Sequence, residues 1–327
     1  MWPCLAVLAL AWTACGCAGL RLGAYGVGIL PMRVHRAVHA QADWSPDDQF
    51  VLIEKHRDKR VTRASFLLTV LTIWEKDYPD RYAIYRVPVP EGEPLTWIGP
   101  GQDLEIAPAG TFAAYVEEHD PPEKGAAPQR RLWLVDYAAP DPEPTALDED
   151  VEHYSFSLDG QWLSWKARGE GGWKVAPVAR PEQVRLLDEP LEFLTRQGWD
   201  PDRWGMPRGR WRWSADGALY RVLTRWDRTR KALAYRWVRF VPPDWTLEDL
   251  GTLPAHAKPA ALREERPSRP HGLAYSRDGS MRLMIDVKRR VRKGIAFTLG
   301  LPEKHTEVAN VLLILPDHQR RPLTHFR

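Results

Sequence analysis

The chain has 327 residues, and its 46 lysine and arginine residues against 43 aspartate and glutamate residues leave a formal charge of +3. This near balance gives no electrostatic case for nucleic acid as a partner, and 44% hydrophobic with 27% charged residues predicts a globular body. All three cysteines lie within the first 17 residues, so the rest of the chain holds no disulfide, thiolate metal site or cysteine nucleophile.

Residues 2–20 form an apolar run without a charged side chain, and small residues surround Cys15 and Cys17 at its end. Such a run is typical of a secretory signal cleaved after small residues. It resembles a bacterial lipoprotein signal, in which the cysteine at the cleavage point is lipidated, and either Cys15 or Cys17 fits that position. The resemblance implies export to the periplasm or outer membrane with a lipid anchor. A signal anchor or a buried N-terminal strand is the alternative.

One short pattern recurs five times along the body of the chain. A large apolar residue and a small residue precede a turn, and an apolar run follows it. Three copies carry Asp-Gly, a strong hairpin signal, because glycine reaches positive φ without steric cost and aspartate bonds the nearby backbone. The copies occupy residues 44–48, 106–110, 156–160, 213–217 and 275–279.

Each copy predicts two strands joined by a tight turn, and two further strands follow in most units. Four strands in a repeat of about 40–60 residues predict an all-β fold, a β-propeller of four-stranded blades. Five blades account for the repeats, and a propeller of six blades is the alternative. Residues 1–20 are assigned to the signal and 40–327 to the propeller. Residues 21–39 are a candidate strand that closes the ring, since an open ring would leave strand edges unpaired.

The units resemble the TolB-like or PD40-type repeat, a WD40-like propeller repeat. Its pattern is an aromatic residue and serine, then Pro-Asp-Gly, an apolar strand, a strand similar to Ile-Tyr-Val-Met-Asp, and Leu-Thr. The resemblance covers residues 40–327 and is strongest over 132–160. It implies a propeller with partners in the cell envelope. It transfers no catalytic residue, because many unrelated proteins use this repeat.

An insertion at residues 55–80 interrupts the first unit. Its apolar run at 66–74 predicts a long hairpin rather than a helix, because β-branched residues favour strands. Further along, Trp211 and Trp213 alternate with Arg212, so in a strand the tryptophans pack while the arginine is solvated.

The sequence contains no G-x-S-x-G elbow, P-loop, H-E-x-x-H or EF-hand motif. We therefore predict no catalytic residue, no cofactor and no metal site. A run of five basic residues in six is a candidate loop for an anionic ligand, because such runs bind phosphate groups; a solvated loop is the alternative. The residues of this run are Lys288, Arg289, Arg290, Arg292 and Lys293.

Three functions are compatible with these observations. The first is a non-catalytic binding or scaffold lipoprotein of the cell envelope, with protein partners and anionic lipid contact and without nucleic acid. The second is a propeller hydrolase or lyase whose site lies in the central channel and draws single residues from several blades. The third is an accessory or sensor subunit of an envelope complex, which an exposed apolar patch would favour.

Overall fold

The structure is a computed structural model. It describes residues 32–58, 60–66, 69–76, 81–119, 128–168, 172–187, 211–227, 232–253, 275–292 and 303–326. Every regular element in these ranges is a β-strand, and the strands form one nine-stranded sheet and three four-stranded sheets. In the same ranges, no helix has the length and apolar character needed to cross a bilayer.

The strands are numbered β1 to β21 along the described chain. The nine-stranded sheet consists of β1 (Met32–Trp44), β2 (Phe50–Arg57), β3 (Arg60–Phe66), β4 (Thr69–Lys76), β5 (Tyr82–Pro88), β6 (Thr96–Gly99), β19 (Arg282–Arg292), β20 (Glu303–Ile314) and β21 (Arg320–Pro322). The next sheet consists of β7 (Gln102–Ile106), β8 (Phe112–His119), β9 (Gln129–Asp136) and β10 (Thr145–Asp148). The third consists of β11 (Val151–Phe156), β12 (Trp162–Ala167), β13 (Trp173–Pro177) and β14 (Arg185–Leu187). The fourth consists of β15 (Arg212–Trp213), β16 (Leu219–Asp227), β17 (Ala232–Val241) and β18 (Thr246–Leu253).

Each four-stranded sheet is an antiparallel meander of consecutive strands. The nine-stranded sheet contains two more meanders, β1-β2-β5-β6 and β19-β20-β21, which we call the first unit and the last unit. Residues 33–38 of β1 join these units by pairing in parallel with residues 303–308 of β20. The segment 21–39, the candidate closing strand, is described only from Met32 onwards. Within the insertion at 55–80, the described strands β3 and β4 pair in antiparallel fashion, as the β-branched residues predict.

The recurring pattern forms a turn in all five copies, in which the small residue bonds five residues ahead in four copies and four residues ahead at Ser214. In each copy, the N–H of the small residue donates to a carbonyl oxygen at the start of the following strand. The acceptor is the first residue of that strand in three copies and the residue just before the strand in two. Where the small residue is serine, its buried hydroxyl also donates to the aspartate two residues later. These bonds fix the hairpin, so the Ser–Asp pairs serve the fold. The small residues are Ser45, Ala107, Ser157, Ser214 and Ser276.

Neighbouring turns lie against one another. A Cβ on Gly160, which has a φ of +70°, would come within 2.6 Å of the carbonyl oxygen of Ala109, so the second and third turns abut. The Arg277 N–H donates to the Asp48 carboxylate at 2.6 Å, which places the last turn beside the first. Asp48 itself has a φ of +59° where the four other copies have glycine, a conformation that aspartate tolerates better than most residues.

Apolar clusters join four pairs of neighbouring units face to face, while the described residues show no such cluster between the fourth unit and the last. The second, third and fourth units are the three four-stranded sheets in chain order. The first and second units share Leu52, Ile84, Tyr115 and Tyr137. The second and third share Val116, Leu132, Phe156 and Trp165, and the third and fourth share Trp173, Val175, Trp213 and Phe240. The last and first share Trp44, Val51, Val311 and Leu313.

Antiparallel meanders whose first four members stack in chain order, and whose last member packs on the first, are the architecture of a β-propeller. This arrangement confirms the predicted all-β propeller. It also explains the apolar strands: each sheet buries side chains against its neighbours, and apolar burial is the main favourable term in folding. Trp211 and Trp213 are buried and Arg212 between them is exposed, as the alternation predicts.

Candidate functional site

The predicted basic loop is a strand, so that prediction of its conformation was wrong. Lys288, Arg289, Arg290 and Arg292 lie on β19, which continues as a long hairpin with β20. The run contains no glycine, proline, asparagine or aspartate that would start a turn, and an exposed strand accommodates alternating basic residues. Lys293, Cys15 and Cys17 lie outside the residues that the structure describes.

Strand alternation divides the basic run between two faces. Lys288 and Arg290 project on one side, while Arg289 projects on the other and pairs with Glu307 through Nε–Oε2 at 3.0 Å. Lys288 is in register with Val308, and Arg290 with Thr306. The two cations on the first face therefore stand over neutral positions of β20.

Lys288 and Arg290 line a cleft of about 490 Å³ at this face. We call it the cationic cleft. Its remaining walls come from β20 and the C-terminal segment, and they combine hydroxyl, amide, imidazole, aliphatic and aromatic groups. These residues are Thr306, Val308, Asn310, His325 and Phe326.

Hydrogen bonds fix the C-terminal segment against β20. The Asn310 side-chain oxygen accepts from the Phe326 N–H at 2.7 Å and from the Thr324 hydroxyl at 3.3 Å. The Thr324 hydroxyl oxygen in turn accepts from the Val311 N–H at 2.9 Å, and Thr324 is buried. Phe326 is placed further by the buried Lys55, whose Nζ lies 5.6 Å from the centre of its ring. One wall of the cationic cleft is therefore built in a fixed position.

The cationic cleft has an excess of positive charge. Lys288 lies 3.7 Å from Asp286, a distance too long for a strong hydrogen bond. Arg290 makes no ion pair with any residue of the described ranges, and both cations are exposed. An exposed guanidinium beside an ammonium group on the same face of a strand is a typical phosphate- or carboxylate-binding arrangement.

Sequence reasoning found the two cations but missed the rest of the cleft. Thr306, Asn310, His325 and Phe326 carry no motif, and only the β19–β20 register and the bonds around Asn310 bring them to the basic residues. The sequence alone places Arg289 on the opposite face from Lys288 and Arg290 once the run is interpreted as a strand, because successive side chains of a strand alternate between its faces.

Comparisons with known proteins give neither a family nor a sequence relative. No model of a known protein family matches the chain, and no curated protein matches it in sequence. Solved structures align with most of the chain at low sequence identity and low TM-score. The tricorn protease is 10% identical over 88% of this chain and 26% of its own, with a TM-score of 0.29.

Two further solved structures are similar to the chain. The β-propeller domain of the Trilobed protease from Pyrococcus furiosus is 10% identical over 88% of this chain and 70% of its own, with a TM-score of 0.38. An oligogalacturonate lyase in complex with manganese is 12% identical over 87% of this chain and 77% of its own, with a TM-score of 0.32. Similarity at this level says nothing of activity, and the propeller assignment rests on the chain's own sheet order and packing.

Proposed function

We propose that the chain is a non-catalytic binding propeller of the cell envelope, exported and lipid-anchored at Cys15 or Cys17, which contacts anionic groups through the cationic cleft. The observation that carries the proposal is the pair of exposed cations, Lys288 and Arg290, on one face of a long hairpin with neutral hydrogen-bonding groups beside them. Protein partners in the envelope are part of this proposal, as the TolB-like repeat implies.

The propeller has five blades in this proposal. The five equivalent turns support that number, since each turn connects the first two strands of one meander. The last unit shows three strands, and the isolated bridge between Tyr275 and Arg282 marks the place of its innermost strand. The TolB-like character of the repeat has the same support, because its serine, aspartate and glycine occupy the hydrogen-bonding positions of the turn.

A phosphate-bearing lipid headgroup suits the cationic cleft. Arginine and lysine supply charge-assisted hydrogen bonds, while Thr306 and Asn310 supply neutral polar groups. A lipid anchor would hold the propeller next to a membrane surface, where each basic residue contributes about 1 kcal/mol of attraction to anionic lipid. The proposed anchor and the cationic cleft would then act on the same surface.

Vesicle binding tests the cationic cleft. We expect the chain from residue 21 onwards to co-float with phosphatidylglycerol vesicles and not with phosphatidylcholine vesicles. Arg290→Gln should weaken this binding about fivefold, because about 1 kcal/mol of attraction is lost. The matched control is Arg289→Gln, which removes the same charge from the opposite face and should change binding much less. Equal weakening by both variants would show that binding follows overall charge and not the cationic cleft.

A further inference from the structure

The side-chain amide of Asn310, which lines the cationic cleft, has a fixed orientation. Its oxygen accepts the Phe326 N–H at 2.7 Å and the Thr324 hydroxyl at 3.3 Å, which uses both lone pairs of that oxygen. The Thr324 hydroxyl is directed at Asn310 because its own oxygen accepts the Val311 N–H at 2.9 Å. The NH₂ group is therefore the part of the amide that is left to meet a ligand, and it can only donate.

The polar groups that line the cationic cleft are mostly hydrogen-bond donors. Lys288 and Arg290 can only donate, the Asn310 amide offers its NH₂ group, and Thr306 adds a hydroxyl. No aspartate or glutamate is among the described residues that line the cleft. Asp286, two residues before Lys288 on β19, stays 3.7 Å from its ammonium group. A ligand rich in acceptor oxygens and negative charge fits this set better than a sugar, whose hydroxyl groups also need acceptors.

The cationic cleft has room for more than one phosphate group. Its volume of about 490 Å³ lies within the range of roughly 300–1,000 Å³ that is typical of small-molecule sites. Lys288 and Arg290 are two residues apart on one strand, so their Cα atoms are about 7 Å apart and their long side chains can reach the same phosphate. Phe326 supplies an aromatic wall beside them. The cleft therefore suits a phosphate together with the first carbon atoms of the group that carries it.

We propose that the cationic cleft prefers phosphate monoesters to phosphate diesters, and that the Asn310 amide contributes to this preference. The inference rests on the proposed function, because it uses the same two cations. A monoester has three unsubstituted oxygens and a charge of about −1.5 to −2 at pH 7, whereas a diester has two such oxygens and one charge. The Arg290 fork binds two oxygens of the monoester, and Lys288 and Asn310 bind the third. A lipid such as phosphatidic acid and a free phosphate ester both present this group.

Vesicles of matched surface charge test the preference. The full chain is titrated at pH 7.5 with phosphatidic acid and with phosphatidylglycerol vesicles, each diluted with phosphatidylcholine to the same zeta potential. We expect the wild type to bind phosphatidic acid about tenfold more tightly, because the monoester makes additional charge-assisted hydrogen bonds. A wild type that binds both vesicles equally would overturn the monoester preference.

The Asn310→Asp variant tests the role of the amide. Aspartate keeps an oxygen for the Phe326 N–H and the Thr324 hydroxyl, so the melting temperature should stay close to that of the wild type. It replaces the NH₂ donor by a carboxylate oxygen that repels phosphate, so the preference should fall to about twofold or less. The matched control is Arg289→Gln, which changes the net charge equally on the opposite face and should keep the preference. An unchanged preference in Asn310→Asp, the result of a purely structural role, would contradict the proposal.

Two further results separate this inference from the proposed function and identify the source of the monoester. Equal binding of both vesicles that Arg290→Gln still weakens would overturn the preference and leave the cationic cleft as an anionic site. Absence of binding to either vesicle would overturn both. In calorimetry with glycerol 3-phosphate, binding as tight as that to phosphatidic acid would support the preference and assign the cleft to a free phosphate ester. Much weaker binding of glycerol 3-phosphate, beside a retained preference on vesicles, would support it with a lipid headgroup as the source.

Discussion

The Arg86→Met variant is expected to unfold with a free energy lower than that of the wild type by about 3 kcal/mol. Arg86 lies on β5 of the first unit, and it is only 8% exposed. Its guanidinium donates to the carbonyl oxygens of Tyr137, Ala139 and Pro140, the last at 2.7 Å. These carbonyls follow β9, so one side chain connects the first unit to the second.

Methionine fills a similar volume but donates no hydrogen bond. Three carbonyl groups near the interface would lose their donor, and each unsatisfied buried group costs about 1–3 kcal/mol. Urea denaturation followed by tryptophan fluorescence measures the effect. The matched control is Arg131→Met, since Arg131 pairs with Glu149 at an exposed site where such a pair contributes about 0–1 kcal/mol. Equal losses in the two variants would show that Arg86 does not join the units.

Loss of lipid label is the second large effect that we expect. The wild type should incorporate labelled palmitate. Of the two variants Cys15→Ala and Cys17→Ala, one should lose the label entirely and the other should keep it. The reason is chemical: a lipoprotein signal is processed at one cysteine, which carries the lipid on its sulfur and becomes the new N-terminus. Cell fractionation should move the unlabelled variant out of the membrane fraction.

The control for the labelling experiment is Cys4→Ala. Cys4 lies inside the apolar run and not at its small-residue end, so that variant should keep both label and membrane location. Recovery of the wild type and all three variants in the cytoplasm would contradict export, and with it the proposed place of the protein in the envelope.

Local signals account for the part of the fold that was predictable from sequence. The turn at Ser157 forms because its hydroxyl, Asp159 and Gly160 are neighbours in the chain, so the pattern carries the whole geometry. The burial of Trp211 and Trp213 beside the exposed Arg212 follows from alternation alone. Short-range chemistry of this kind is visible without a structure.

The candidate sites depend on contacts that no local pattern encodes. The partners of Arg86 are backbone carbonyls 51 to 54 residues away, and any residue type provides a carbonyl. Asn310 and Phe326 meet only because the C-terminal segment returns to β20. Dense charge around Arg290 predicts a solvated loop, whereas the structure has a strand whose residues 288–290 are exposed on both faces.

Cross-linking of the first turn to the last tests the stacking of units around a common axis most directly. In a chain whose three native cysteines are replaced by alanine, Asp48→Cys and Arg277→Cys place two thiols at the contact between these turns. A short bifunctional maleimide should join them in folded protein and leave them unjoined in urea. Asp48→Cys with Gly217→Cys, which lies in the turn of the fourth unit, should give little cross-linking. Cross-linking of residues 48 and 277 that is no faster than that of the control pair would contradict the propeller.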